Sequence, residues 1–276
     1  MTTWLITGCS TGLGRALAEA VLERGDSAIV TARDESTVRD LATDYPDTVL
    51  ALPLDVTDAA QVRTAVERGT EVFGGIDVLV NNAGYGYRAA VEEGDDDDAR
   101  ELFDTHFFGS VDLIKAVLPQ MRARRSGTIV NLSSIGAKIT PAGSGYYAAV
   151  KAAIEGLTGS LRKELEPLGI TAMVVEPGGF RTDFSGRSLQ QSAEAIPDYA
   201  GTAGKRRKEN DTTHGTQPGD PAKAAAAIIS TVASGKTPEV LILGSDALGA
   251  HRDVLQAQLE SLETWAPISR STDVDP

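Results

Sequence analysis

Cysteine is almost missing from this chain: Cys9 is the only one among 276 residues. No intrachain disulfide and no multi-cysteine metal site is possible, and no metal is expected. Positive charge is also in short supply. Lys and Arg number 26 against 39 Asp and Glu, a net charge of −13, which argues against a nucleic-acid partner because a phosphate backbone would be repelled. No apolar run approaches the roughly 20 residues that span a bilayer, so no membrane partner is expected. The chain opens directly on "TWLITG", without a basic region, a long apolar stretch or a small-residue cleavage site. A secretory signal is therefore not expected, and a cytoplasmic location is. What is present is ordinary for a soluble domain, with 41% apolar and 24% charged residues. The length suits one large α/β domain or two small ones.

Short apolar runs recur along the chain: "WLIT" (4–7), "AIVTA" (28–32), "VLALPL" (49–54), "DVLVN" (77–81), "TIVNL" (128–132), "TAMVVE" (171–176) and "EVLIL" (239–243). Each is apolar without polar alternation, the pattern of strands buried on both faces of a parallel sheet. Helix-period segments separate them. Leu13, Leu17 and Val21 recur every four residues and stop at Gly25, a natural helix end. Val62, Val66 and Thr70 trace a similar stripe that runs out at Gly74 and Gly75. This alternation predicts an α/β fold: a Rossmann-type doubly wound, parallel, seven-stranded sheet with helices on both faces and right-handed crossovers.

Neither a linker nor a repeat divides the chain, so residues 1–262 read as one domain and 263–276 as a tail, poorly ordered or dependent on a partner. The rhythm breaks at 178–219, where Gly, Ser, Thr and charge dominate and Phe180, Phe184, Leu189, Ile196 and Tyr199 are scattered. So long a loop is expected to act as a substrate lid. The basic cluster at 205–208 reads as a solvated part of it. The acidic run at 95–98 is expected to open a helix, where negative charge meets the positive end of the dipole.

The stretch "TGCSTGLG" places Gly8, Gly12 and Gly14 at the turn from the first strand into the first helix. Glycine serves where the backbone turns tightly or approaches a pyrophosphate, and the helix N-terminus offers amides to the phosphate charge. Ser10, Thr11 and Leu13 lie within the same turn and are counted with it as cofactor-binding. The spacing is G-x-x-x-G-x-G rather than G-x-G-x-x-G, and a glycine-rich turn alone is a weak signal. Its position at the start of a βαβ unit strengthens it. An NAD-binding chain carries an acidic residue about 20 positions further on, bonded to the ribose. Here the end of the second strand offers Ala32, then Arg33, whose guanidinium suits a 2′-phosphate. Asp34 blurs this by one position. NADP(H) is favoured over NAD(H).

In "YYAAVK", Tyr147 and Lys151 stand four apart, on one face of a helix, whereas Tyr146 points away. Tyrosine four residues before lysine recurs by chance, so the spacing alone does not choose between a chemical pair and an ordinary helix. A carbonyl that accepts hydride becomes an alkoxide and needs an acid beside it. A tyrosine can serve, and an ammonium one turn away would lower its ordinary pKa near 10.

Taken together these residues resemble the short-chain dehydrogenase/reductase family, over roughly residues 1–245. Its glycine pattern is met by Thr7, Gly8, Gly12 and Gly14, and its N-N-A-G by Asn81, Asn82, Ala83 and Gly84. Tyr147 and Lys151 meet its Y-x-x-x-K, and Ser134, 13 residues ahead of the tyrosine, meets its serine. Pro177, Gly178 and Thr182 meet P-G-x-x-x-T, and Asp55 with Val56 stands where the family contacts adenine. The resemblance implies Tyr147 as general acid/base, Ser134 holding the substrate oxygen, and Lys151 also holding the nicotinamide ribose. Thr182 and the backbone around Pro177, Gly178 and Phe180 would hold the carboxamide. Alternation along the strand sends Ser133 to the other face.

The implied activity is hydride transfer between a nicotinamide and a small-molecule carbonyl or alcohol. Tyr85, Tyr87, Arg88, residues 135–139 and the lid at 180–199 would line a pocket for a hydrophobic substrate. Relatives pair helices corresponding to 99–121 and 147–164, which implies a homodimer or homotetramer. The alternatives are a nucleotide-sensing regulator without turnover, and an NAD-dependent dehydrogenase. An epimerase acting on nucleotide-sugars is disfavoured by the glycine spacing. One departure stands out: "FDTHFFG" carries His106 where the family commonly has an asparagine that fixes a proton-relaying water. A substituted relay, a packed helix histidine and an impaired enzyme all remain open, and His106 is kept among the catalytic candidates.

Overall fold

A computed structural model of the chain describes residues 1–186, 188–213 and 215–274. Positions 187 and 214 of the expected lid and 275–276 of the expected tail lie outside the described residues. The strands are β1 (Thr3–Ile6), β2 (Ser27–Ala32), β3 (Val49–Pro53), β4 (Val78–Asn81), β5 (Gly86–Arg88), β6 (Gly127–Leu132), β7 (Ile170–Pro177), β8 (Leu189–Gln191) and β9 (Val240–Leu243). Seven of them form one parallel sheet in the order β3-β2-β1-β4-β6-β7-β9, and β5 with β8 forms a separate parallel pair.

The helices are α1 (Gly12–Glu23), α2 (Arg39–Asp44), α3 (Ala59–Phe73), α4 (Asp96–Phe103), α5 (Gly109–Arg124), α6 (Gly136–Ile139), α7 (Gly145–Leu165), α8 (Ala203–Thr213), α9 (Pro221–Ala233) and α10 (Ser245–Arg270). None is long and apolar enough to cross a membrane among the described residues. Strand alternation sorts the core into two layers. Trp4 and Ile6 of β1, with Val30 and Met173, pack against Leu17 and Val21 of α1 and Ile228 of α9. Leu5, Ile29 and Ile129 point the other way, onto Val62 of α3, Val117 of α5 and Leu161 of α7. Both faces of the sheet are therefore covered, which is why its strands read as continuous apolar runs. Burying each such side chain contributes about 1.5–3 kcal/mol.

Carboxylates set several helix starts. Asp95 accepts from the amides of Asp97 and Asp98 at 2.8 and 3.2 Å, so the acidic run caps α4 as expected. Asp220 does the same for α9 ahead of Pro221. The strand order reverses between β1 and β4, and at that switch point a crevice opens beyond the carboxyl ends of the strands.

Three features differ from the sequence reading. Residues 178–219 are not a bare loop but hold β8 and α8. The basic cluster is not fully solvated: Arg207 of α8 turns inward and bonds Glu93, which is almost wholly buried. Finally, α10 runs through residue 263 to Arg270, so no structural boundary separates a tail there.

Candidate active site

The crevice is a single cavity of about 560 Å³. Every residue singled out above for cofactor or catalysis lines it except Gly14, which packs behind the turn against Asn82. The glycine turn is built by the loop after β4. Asn82 donates from its side-chain amide to the carbonyls of Thr7 and Gly8 at 2.8 and 3.1 Å, and the Thr7 hydroxyl accepts from the amides of Asn82 and Ala83. Asn82 thus shapes the turn. Thr11 caps α1 without a side-chain bond, leaving the amides of the first turn to the cavity. Gly12 sits at φ +65°, and a Cβ there would reach to 3.4 Å from Thr182, narrowing the gap between the two loops. Such a cradle fits a pyrophosphate.

At the far end, Asp55 is bonded within its own turn to Thr57, at 3.0 and 2.7 Å. Arg33 is exposed on the cavity wall and makes no hydrogen bond or ion pair among the described residues. Asp34 is occupied: it caps the next turn by accepting from Ser36 N at 3.0 Å, and hydrogen bonding from Ser36, the side chain first and then the amide, holds its carboxyl below the usual range. Of the two neighbours, the arginine is the one left to meet a ligand.

The reacting end combines β6, α6, α7 and the bend between α4 and α5. Tyr147 and Lys151 are buried on α7, with Lys151 Nζ 5.7 Å from the centre of the Tyr147 ring. Lys151 donates to the Leu132 carbonyl at 2.7 Å. Ser134 accepts from Gly136 N at 3.1 Å and hydrogen-bonds the Tyr147 phenol. Ser133 also lines the cavity, but its hydroxyl is taken up by Glu155, to which it donates at 2.7 Å. Tyr146 is a packing residue, its ring against Tyr87 and its hydroxyl on the Val91 carbonyl at 2.8 Å.

The electrostatics correct one expectation. Burial pushes the Tyr147 phenol up to about 12, opposed by the Ser134 bond, while burial brings the Lys151 ammonium down to about 7, opposed by Glu155. In the chain itself desolvation outweighs the lysine, which carries only part of a charge at neutral pH. The pocket wall also differs. Tyr85 and the lid residues Phe180, Phe184, Ser188 and Gln190 line the cavity, but Tyr87, Arg88 and residues 135–139 do not. Tyr87 is buried and bonded to Asp98, and Arg88 reaches Ser144.

His106 lies in a π-helical turn, Asp104–Phe108, the kind of distortion that recurs at functional sites. Its ring meets Tyr147 edge-on, with centres 5.9 Å apart. A Cβ at Gly84 would come within 2.2 Å of the imidazole, so the glycine admits the larger ring. Nε2 lies 3.0 Å from the Tyr85 amide and 2.9 Å from the Tyr85 carbonyl, accepting from the one or donating to the other according to the tautomer, and Nδ1 is a buried atom with no partner among the described residues. Burial, then the nearby Lys151, holds His106 far below its ordinary pKa, so the ring is neutral.

Sequence reasoning missed Asp246, whose carboxylate accepts from Gly179 N at 2.7 Å and fixes the loop after β7. It also missed the pairing of buried Glu176 with partly exposed His251, joined at 2.7 Å. Neither pair has a local spacing signal.

A model of the short chain dehydrogenase family matches residues 2–193. The chain belongs to that family. It is an oxidoreductase of the nicotinamide-dinucleotide type. Among its relatives, Oxidoreductase BOA17 of Botryotinia fuckeliana is 39% identical over 96% of this chain and 97% of the relative. The 3-ketodihydrosphingosine reductase of Bacteroides thetaiotaomicron is 36% identical over 85% of this chain and 84% of its own. A short-chain dehydrogenase from Streptomyces avermitilis, solved by crystallography, superposes with a TM-score of 0.92 at 43% identity, covering 99% of this chain and 98% of that one.

Proposed function

We propose that the protein is an NADP(H)-dependent reductase of hydrophobic carbonyl compounds, with Tyr147 as the proton donor. The observation that carries this reading is the convergence of Ser134, Tyr147 and Lys151 on the cavity that also holds the glycine turn. The dinucleotide supplies the hydride when bound. Gly8, Gly12 and the α1 amides hold its phosphates, Lys151 its ribose, and the loop from Pro177 to Thr182 its carboxamide. Ser134 fixes the substrate oxygen beside the phenol. Because burial keeps Tyr147 protonated at neutral pH, it is poised to give a proton rather than to take one. His106 enters as a neutral ring whose Nδ1 has no partner among the described residues.

The hydrophobic character rests on Phe184, whose ring centre is 5.8 Å from that of Tyr147, with Phe180 also on the cavity wall. The name of one relative, a reductase of a keto compound, agrees.

Tyr147→Phe is expected to lower NADPH oxidation with apolar ketones by about 10²–10⁴-fold, while NADPH binding stays within a few-fold. Initial rates at the reduced-nicotinamide band, with fluorescence titration for binding, read both. An unchanged rate removes the assignment of the acid. The cofactor preference has its own test, since loss of a charge-assisted bond costs roughly tenfold or more. Arg33→Asp is therefore expected to shift the NADPH/NADH preference toward NADH by at least that factor. A ratio that does not move removes the argument for NADP.

A further inference from the structure

The last helix leaves the body of the protein. Its start is anchored by buried Ala247, by Asp246 on the Gly179 amide, and by His251 on Glu176. Past Val254 nothing is buried, and Leu255, Leu259, Leu262, Trp265 and Ile268 are each more than half exposed. A helical segment of this length is marginal in water without a packing partner.

The spacing of these residues says what kind of partner fits. Leu248, Leu255, Leu259, Leu262 and Ala266 fall on one line, with Arg252 filling the remaining place. Gaps of alternately three and four residues are the repeat by which two helices mesh side chains along a common seam. The line spans about 27 Å of helix at 1.5 Å per residue. We propose that this seam is an interface between two copies of the chain, with α10 of one lying parallel and in register against α10 of the other.

The flanking residues suit a second copy. In a parallel pair Glu263 of one helix faces Gln258 of the other, and Arg270 faces Trp265, so no like charges oppose each other along the flanks. In register, Arg252 of one helix meets Arg252 of the other near the start of the seam, a like-charge contact that costs stability and is relieved by both exposed guanidinium groups turning to water. A lipid surface fits less well. Helices that lie on membranes carry Lys and Arg on the polar face, whereas α10 carries four carboxylates against two guanidinium groups.

The full chain is the material for the test. Leu259→Glu/Leu262→Glu is expected to halve the mass measured by light scattering, with the far-UV circular dichroism melt of the body retained. Cys9, the only native thiol, is buried, so engineered cysteines report without background. Under copper–phenanthroline, Leu262→Cys is expected to form an intermolecular disulfide and Glu260→Cys, on the outer face, to remain a thiol. The proposal is overturned by a wild-type monomer, by a mass that the two glutamates leave unchanged, or by equal cross-linking at 260 and 262.

Discussion

Tyr147, Lys151 and Glu155 stand in one row on α7, each a helical turn beyond the last. Glu155 is the member with no family motif attached. It opposes the burial that lowers the Lys151 ammonium, and it is itself shared between Ser133 and Lys138, the latter at 2.5 Å. The other titratable groups facing Lys151 are Tyr147, protonated, and His106, neutral, so Glu155 is the charge that decides how long the ammonium survives as pH rises. Glu155→Gln is expected to move the Lys151 limb in the pH profile of NADPH binding to lower pH. Lys138→Met, which removes the competing cation, is expected to move it higher. Fluorescence titrations across pH 5–9 read this, and two shifts of the same sign would point to a merely structural role. The sign for stability follows from the same burial. A lysine lowered from 10.5 to about 7 costs stability in full below 7, and the cost fades as pH rises toward 10.5.

At the scale of elements, what is legible in the sequence is whatever repeats locally. The five inner strands are buried on both faces and the edge strands β3 and β9 are partly covered, so each leaves a continuous apolar run. Ser134 is separable from Ser133 because it stands 13 residues ahead of Tyr147. By contrast α8, "AGKRRKENDTT", has no apolar stripe. It is tied to the body through Arg207, whose partner Glu93 is 114 positions away, and no local pattern encodes a contact at that distance. The inward turn of Arg207, the removal of Tyr87 from the pocket and the pairing of His251 with Glu176 are all tertiary facts of this kind. The continuous α10 is a different case. Its leucine spacing is present in the sequence, but an exposed apolar seam looks like a disordered tail until its helix is seen to project. The site itself was legible because its residues sit at element ends in fixed order; their protonation states were not, since burial depends on everything packed around them.

For the whole molecule the governing quantity is the net charge of −13. Several ion pairs decorate the surface, but they are open to water: Arg68 and Glu71 are 51% and 62% exposed, and Arg100 and Asp96 are 69% and 83% exposed. Each such pair is worth about 0–1 kcal/mol. The surplus of carboxylates repels over the whole surface, and the compact state bears that repulsion. Raising NaCl from roughly 10 mM to 1 M shortens the screening length from about 30 to 3 Å and weakens both terms. Repulsion, being the more numerous and longer-ranged, is expected to lose more. The calorimetric melting midpoint at pH 7 is then expected to rise with salt, by about 2–4 °C for each kcal/mol of relief. Two copies of so acidic a chain repel each other as well, so the same salt is expected to tighten the α10 pairing, read as a lower concentration for half-dimerisation. A midpoint that falls with salt would place the stability in the exposed ion pairs instead and reverse this ranking of the two terms.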